Sequence, residues 1–252
     1  MKIKNKDYSL FEKFINQYEP AGFKEINRKD SLMIELEEVT QGNNQFFFIA
    51  DLFKGEVIFT SEGSKKNIGV NPNDFTPLHG IDAVHAEELN RNTNGWAKLI
   101  QMGNELFLAQ EGSSLLSVNM KMRNPNGDYI ETLIQANLFF SKTPVKTVYD
   151  FQVFTQLDSF GIKNPGFHHY VGTDMSNFRY PDVELLAIGI DLTNRELEIV
   201  KWIEAGLNTK QIAKKLFVSP FTINAHRANI LKKCNKHHVS DVIYELKQMG
   251  VL

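Results

Sequence analysis

The sequence predicts an α+β protein in two parts: an antiparallel sheet with flanking helices over residues 1–165, then an all-α, four-helix domain over residues 191–252, joined by a connecting segment at 166–190. Three observations predict this. Between residues 45 and 158, strand-like apolar runs are separated by turn residues, and one long stretch alternates apolar with polar. After residue 190 the apolar period lengthens to that of helices, and small polar capping residues stand at the helix starts. Charge divides at the same place: residues 191–252 carry ten Lys/Arg against six Asp/Glu, a net +4, and residues 1–190 carry eighteen against twenty-four, a net −6. Two halves of opposite sign suggest two jobs.

Composition excludes several classes. No run of about 18 apolar residues is present to span a bilayer, and the N-terminus "MKIKNKDYSLFEKF" lacks the apolar stretch of a secretory signal. Cys234 is the single cysteine, which excludes a disulfide framework and a multi-cysteine zinc site and suits a reducing compartment. The expectation is a cytoplasmic protein with no membrane partner.

In chain order, "KNKDYSLFEKFINQYEP" predicts an amphipathic helix. "QFFFIADLF" and "GEVIFTS" are strand-like runs around the turn residues Lys54 and Gly55, a hairpin. Residues 65–112 read as helices and loops. "SLLSVNMKMRNPNGDYIETLIQANLFFSK" alternates apolar and polar residues across Asn126-Gly127, a second hairpin. "TVYDFQVFTQLD" is a last strand. Residues 166–190 are rich in turn formers, yet Phe167, Tyr170, Phe178 and Tyr180 are too apolar for a free linker, so this segment is expected to pack on one or both domains.

In the C-terminal part, Thr193 with Glu196 forms a capping box, and Gly206 supplies a left-handed stop. Thr209 is read as the cap of a second helix with Ile212, Ala213 and Leu216 on its buried stripe. Ser219 caps a third, with Pro220 at its first position. Two helices joined by so tight a turn make a helix-turn-helix. At about 100° per residue, Ile223, Ile230 and Cys234 of the third helix share the core side, with Leu231 at its edge. Opposite them lie Ala225, Ala228, Asn229 and Lys232, flanked by Asn224. That face is small, polar or basic, and suits a DNA groove: alanine can touch a thymine methyl, and asparagine can pair bidentately with adenine. From Lys210 to Lys236 there are seven Lys/Arg and no acid, as a phosphate backbone requires.

These residues carry a family resemblance. "LTNRELEIVKWIEAGLNTKQIAKKLFVSPFTINAHRANILKKCNKHHVSDVIYEL" resembles the LuxR-type (NarL/FixJ-like) DNA-binding domain, with caps, turn and recognition helix at the family spacing and no insertion. Ile223 stands where Val is usual and Cys234 where Leu is usual. The resemblance implies base reading by Asn224, Ala225 and Ala228. Thr209, Lys210, Thr222, Lys232 and Lys233 are candidate phosphate contacts. Arg227 lies toward the core side, so a packed stem with a phosphate-reaching head is expected. His226 either packs between helices or touches DNA. The stripe of the fourth helix either belongs to the domain core or supplies, through Val242, Tyr244 and Leu246, the contact of a homodimer on DNA.

Members of this family differ in what precedes the DNA-binding domain. The N-terminal helix does not resemble the opening strand of a receiver domain, and Trp96 and Trp202, the two tryptophans, leave no Trp-Tyr-Asp-Trp pattern of a lactone pocket. Two strands, several short helices, then three strands resemble the order of a PAS domain. A PAS-like sheet implies a cavity between the sheet and the short helices, expected within residues 46–140, for a small ligand or as a dock for a protein partner. No cofactor is assigned. His168, His169 and Asp174 do not have the spacing of a metal site, haem ligation by His79 or His85 has no support, and no phosphate loop, G-x-S-x-G elbow or H-E-x-x-H helix is present. The expected function is a one-component transcriptional regulator, not an enzyme, that binds double-stranded DNA. The alternative is a signalling adaptor whose helix-turn-helix no longer reads DNA.

Overall fold

The run Gln45–Asp51 is buried at every position, which a strand with one wet face would not be. The reason is a sheet covered on both sides. The computed structural model describes residues 9–158, 169–172, 192–234, 236–248 and 252, which fall into two units, with 9–158 and 169–172 in the first. That unit holds six antiparallel strands: β1 (Gln45–Asp51), β2 (Glu56–Thr60), β3 (Ser113–Arg123), β4 (Tyr129–Ser141), β5 (Thr147–Gln156) and β6 (His169–Gly172). Their order is β2-β1-β5-β4-β3-β6. Gly55 at φ 66° and Gly127 at φ 91° make the two hairpin turns, where a side chain would be strained. Two strands, short helices, then three strands is the PAS-like arrangement.

Residues alternate across this sheet. Phe47, Ile49, Phe151 and Val153 face α1 (Ser9–Tyr18) and α2 (Ser31–Gly42), whose Phe11, Phe14, Met33 and Leu36 complete one core. Phe14 meets Phe47 at 5.5 Å and Phe11 meets Phe151 at 5.3 Å between ring centroids. The other face is covered by α3 (Gly63–Ile68), α4 (Pro77–Asp82) and α5 (Leu89–Ala109). There Leu99, Met102 and Leu106 of α5 cluster with Leu116, Leu138 and Val148. A Cβ on Gly103 would meet the terminal methyl of Leu52, so glycine lets α5 seat closely without moving that side chain.

Two elements were not anticipated. The helix α2 carries its buried residues at Met33, Leu36, Val39 and Thr40, on a stripe diluted by Glu35, Glu37 and Glu38. The strand β6 lies within the segment read as a connection and pairs with β3 through Leu115–Gly172 to Val118–His169. The rest of the 166–190 segment lies outside the described residues, as do the side chains of His168, His169 and Asp174.

The second unit contains α6 (Asn194–Glu204), α7 (Thr209–Lys215), α8 (Pro220–Lys233) and α9 (Val239–Gln248). Its core is built by Ile199, Val200, Ile212, Ala213, Ile223, Ile230, Val242 and Leu246. Thr193 caps α6 reciprocally with Glu196, and Ser219 caps α8 by accepting from the Thr222 N–H at 3.1 Å. The cap of α7 is corrected from Thr209 to Asn208, which accepts from the Gln211 N–H at 3.0 Å while Gln211 returns a bond to the Asn208 N–H at 2.8 Å. Asparagine with glutamine three residues on can close both halves of a box, and the helix therefore starts one residue earlier than a threonine cap would set it.

Candidate functional site

Ser219 and Pro220 start α8 on the turn after α7, and Ile223 and Ile230, both fully buried, anchor one side of it. This leaves Asn224, Ala225, Ala228, Asn229 and Lys232 exposed on the opposite side. Thr209, in the first turn of α7, donates through its hydroxyl to the Asn224 side-chain carbonyl at 3.4 Å. That contact brings the two residues together and biases the amide of Asn224 toward one orientation. Thr222 is engaged in the cap, its hydroxyl 2.8 Å from that of Ser219. His226 and Arg227 are half-buried, in keeping with the side of the helix each occupies.

The basic residues divide by what they touch. Lys210, Lys214 and Lys232 are exposed. Lys215 lies over the Trp202 ring at 3.9 Å, a contact that ties α7 to α6. Lys233 donates to the Glu196 carboxylate at 2.8 Å, and that carboxylate is nearly buried. The same oxygen accepts from the Thr193 N–H and hydroxyl. Burial alone would raise the Glu196 carboxyl, but the bonds from Lys233 and Thr193 outweigh it and hold the group below its ordinary value. Lys233, expected as a phosphate contact, thus also partners the first cap: a third of its side chain stays exposed while its ammonium holds the Glu196 carboxylate. Arg195 plays a similar part, pairing with Glu198 at 2.7 Å and donating to the Leu216 carbonyl at 3.0 Å, where it covers the open end of α7.

The dimer contact is corrected for two of its three residues. Val242 and Leu246 have no exposed surface and lie in the domain's own core, whereas Tyr244 is 67% exposed. Val242 and Leu246 therefore offer no surface to a second copy.

In the first unit a cavity opens between the sheet and α4–α5. Phe48, Trp96, Leu116, Met120, Ile134 and Phe154 supply apolar walls, and Asn92 and Gln152 are its amides. Its volume, taken as room for the centre of a water molecule, is about 50 Å³, enough for a few waters or a small ligand. It extends beyond the expected 46–140 range, because β5 lies beside β1 at the centre of the sheet. Beside it, Asp150 is buried. One oxygen accepts from the Gln152 amide at 2.6 Å and the other has no hydrogen-bond partner. Burial pushes its carboxyl up to about 7 against the pull of the Gln152 bond. The Nδ1 atoms of His79 and His85 accept from the Thr76 and Glu87 N–H groups at 3.0 and 3.2 Å, so both imidazoles serve as local caps.

Residues 191–246 match the family model of bacterial regulatory proteins, luxR family. The C-terminal unit is a LuxR-type helix-turn-helix domain. Over 61 residues it is 38% identical to the Fimbriae Z protein of Salmonella typhimurium, covering 24% of this chain and 29% of that protein. Over 58 residues it is 43% identical to the oxygen regulatory protein NreC of Staphylococcus carnosus, covering 23% of this chain and 27% of that one. The chain thus spans less than a third of the length of these curated relatives. Among solved structures, the Vibrio cholerae VqmA dimer without target DNA aligns at a TM-score of 0.38 and 14% identity, over 85% of this chain and 88% of that one. The LuxR-type domain explains why Arg195 and Glu196 sit where they do: the opening Leu-Thr-x-Arg-Glu is a bracket that holds α6 to α7 and α8.

Proposed function

We propose that this chain is a one-component bacterial transcriptional regulator. Its LuxR-type domain binds double-stranded DNA as a homodimer, and its PAS-like domain senses a small ligand or a protein partner. It acts in the cytoplasm and without catalysis, with domain limits near 165 and 191. One observation carries this reading: α8 presents an exposed, uncharged face at Asn224, Ala225 and Ala228, with exposed lysines at Lys210, Lys214 and Lys232 and no acid between 210 and 236. An uncharged face can read base edges while the lysines lie along phosphates. Thr209, Thr222 and Arg227 belong to the same proposed phosphate-facing set, and Tyr244 remains as the dimer contact. Among the described residues no helix is long and apolar enough to cross a membrane.

The test is binding of the full chain to its own upstream duplex at several salt concentrations. The logarithm of the affinity should fall linearly with the logarithm of salt, by about 0.9 per phosphate contact. Binding that ignores salt, or no binding at all, would replace this reading with that of an adaptor.

A further inference from the structure

One large side chain on the reading face of α8 remains unexplained. Phe221 is 82% exposed, whereas Ile223 and Ile230 of the same helix are fully buried in the core of the unit. At about 100° per residue it stands in line with Ala225, Ala228 and Lys232, four, seven and eleven positions further along the helix, and it is directly opposite Ile223 and Ile230. It occupies the second position of the helix, after Pro220, and in helix-turn-helix proteins the N-terminal residues of the recognition helix are those that meet base edges. Its neighbours on the stripe, Ala225 and Ala228, are too short to prevent the ring from reaching a groove floor.

We propose that Phe221 is a specificity-determining residue that seats its ring against the 5-methyl group of thymine, which makes the half-site of this protein A·T-biased. The proposal rests on the DNA-binding reading above and deepens it. The uncharged residues of this face argue for the same base pair, while Lys232, in the last turn, lies toward the phosphates. Asparagine pairs bidentately with adenine, and alanine and phenylalanine make apolar contact with the thymine methyl. Arginine, which makes the commonest contact to guanine, is absent from this face: Arg227 lies on the core side and is half-buried. The occupant is set by charge, because the exposed Lys210, Lys214 and Lys232 and the lack of any acid from 210 to 236 fit a polyanion and not an apolar protein surface. Phe217, 95% exposed at φ 54°, stands on the turn before α8 and is not part of the stripe.

The experiment uses the full chain and a pool of random duplexes. The sites that the wild-type chain selects should carry thymine at one or more fixed positions. The best site is then made twice, once with thymine and once with deoxyuridine, which lacks only the methyl group. Wild-type affinity should fall about fourfold for each contacted methyl lost. Phe221→Ala should bind the thymine duplex more weakly by a similar factor and be indifferent to the exchange, while Phe221→Leu retains part of the difference. The exposure of Phe221 predicts an unchanged melting temperature for both variants. If Phe221→Ala loses affinity equally for both duplexes, or loses none, Phe221 does not read the methyl group and the proposal fails. If the wild-type chain selects no duplex at all, the DNA-binding reading itself fails, a result distinct from either.

Discussion

Asn224 and Lys232 both lie on the exposed side of α8, yet their side chains can do different work on DNA. Asn224 can satisfy two groups of one base, and its orientation is biased by the Thr209 hydroxyl. Asn224→Ala should therefore cost about 1–3 kcal/mol on the selected site and little on a scrambled duplex, which shows as lost discrimination. Lys232→Ala should weaken both duplexes alike and reduce the salt slope by about one contact. Lys233 is one residue further on and is predicted to behave unlike either. Its ammonium holds the Glu196 carboxylate and the cap of α6, so Lys233→Met should lower the stability of the LuxR-type domain by about 1–3 kcal/mol, between the values for a surface and a buried pair. Thermal melting monitored at Trp202 measures it. The sign of the pH dependence follows from the lowered Glu196 carboxyl: its contribution is present at neutral pH and is lost as the pH falls below the ordinary value of 4.5.

Among the elements, α9 shows how an apolar stripe can be read in two ways. Val239, Val242, Ile243, Leu246 and Met249 keep a helical period that fits a dimer seam or a core equally well. The structure puts Val242 and Leu246 at zero exposure, in one apolar cluster with residues of the other helices. Val242→Asp should thus cost more than about 3 kcal/mol and unfold the domain, because a carboxylate there has neither water nor a partner. Tyr244→Ala should leave the melting temperature within a degree or two and act only on the assembly bound to two half-sites. Sedimentation of the full chain with a two-site duplex separates the outcomes: if Val242→Asp melts normally and only the dimer is lost, the core assignment of α9 is wrong. The helix α2 makes the opposite point. Its glutamates dilute the stripe in the sequence, but Met33 and Leu36 are fully buried, and Arg28 neutralises Glu37 at 3.1 Å.

For the whole molecule, the two units join a sheet with a cavity to a helix-turn-helix, and the sheet carries a titrating group at its centre. Asp150 is protonated in the fold up to about pH 7, against an ordinary value of 3.8. The folded state binds the extra proton between those two values, so stability should fall as the pH rises from about 4 to about 7 and level off above. Asp150→Asn should remove that slope and raise the melting temperature at pH 8. The measurement is Trp96 fluorescence in a Trp202→Phe background between pH 4.5 and 8.5. A slope that survives the substitution would assign it to another group. Because Asp150 also holds the Gln152 amide at the cavity wall, the same variant should alter the affinity of any ligand that the cavity takes.

The sequence by itself determined what is decided within about one helical turn or one hairpin. Thr193 with Glu196, Ser219 with Pro220, Gly206, Lys54-Gly55 and Asn126-Gly127 each act on backbone a few residues away, and the helices, turns and hairpins that follow from them were legible before any fold was known. Where two local rules competed, as for Asn208 and Thr209, the reading missed by one residue. The tertiary structure decided how charge and apolar surface are used. Lys233 meets Glu196 across 37 positions, Asp150 is sealed beside a cavity whose walls run from Phe48 to Phe154, and β6 pairs with β3 across about fifty residues. The physical reason is that burial and pairing depend on which distant element covers a face. A lysine is a phosphate contact or a cap partner, and a valine a dimer seam or a core, according to what the rest of the chain places against it.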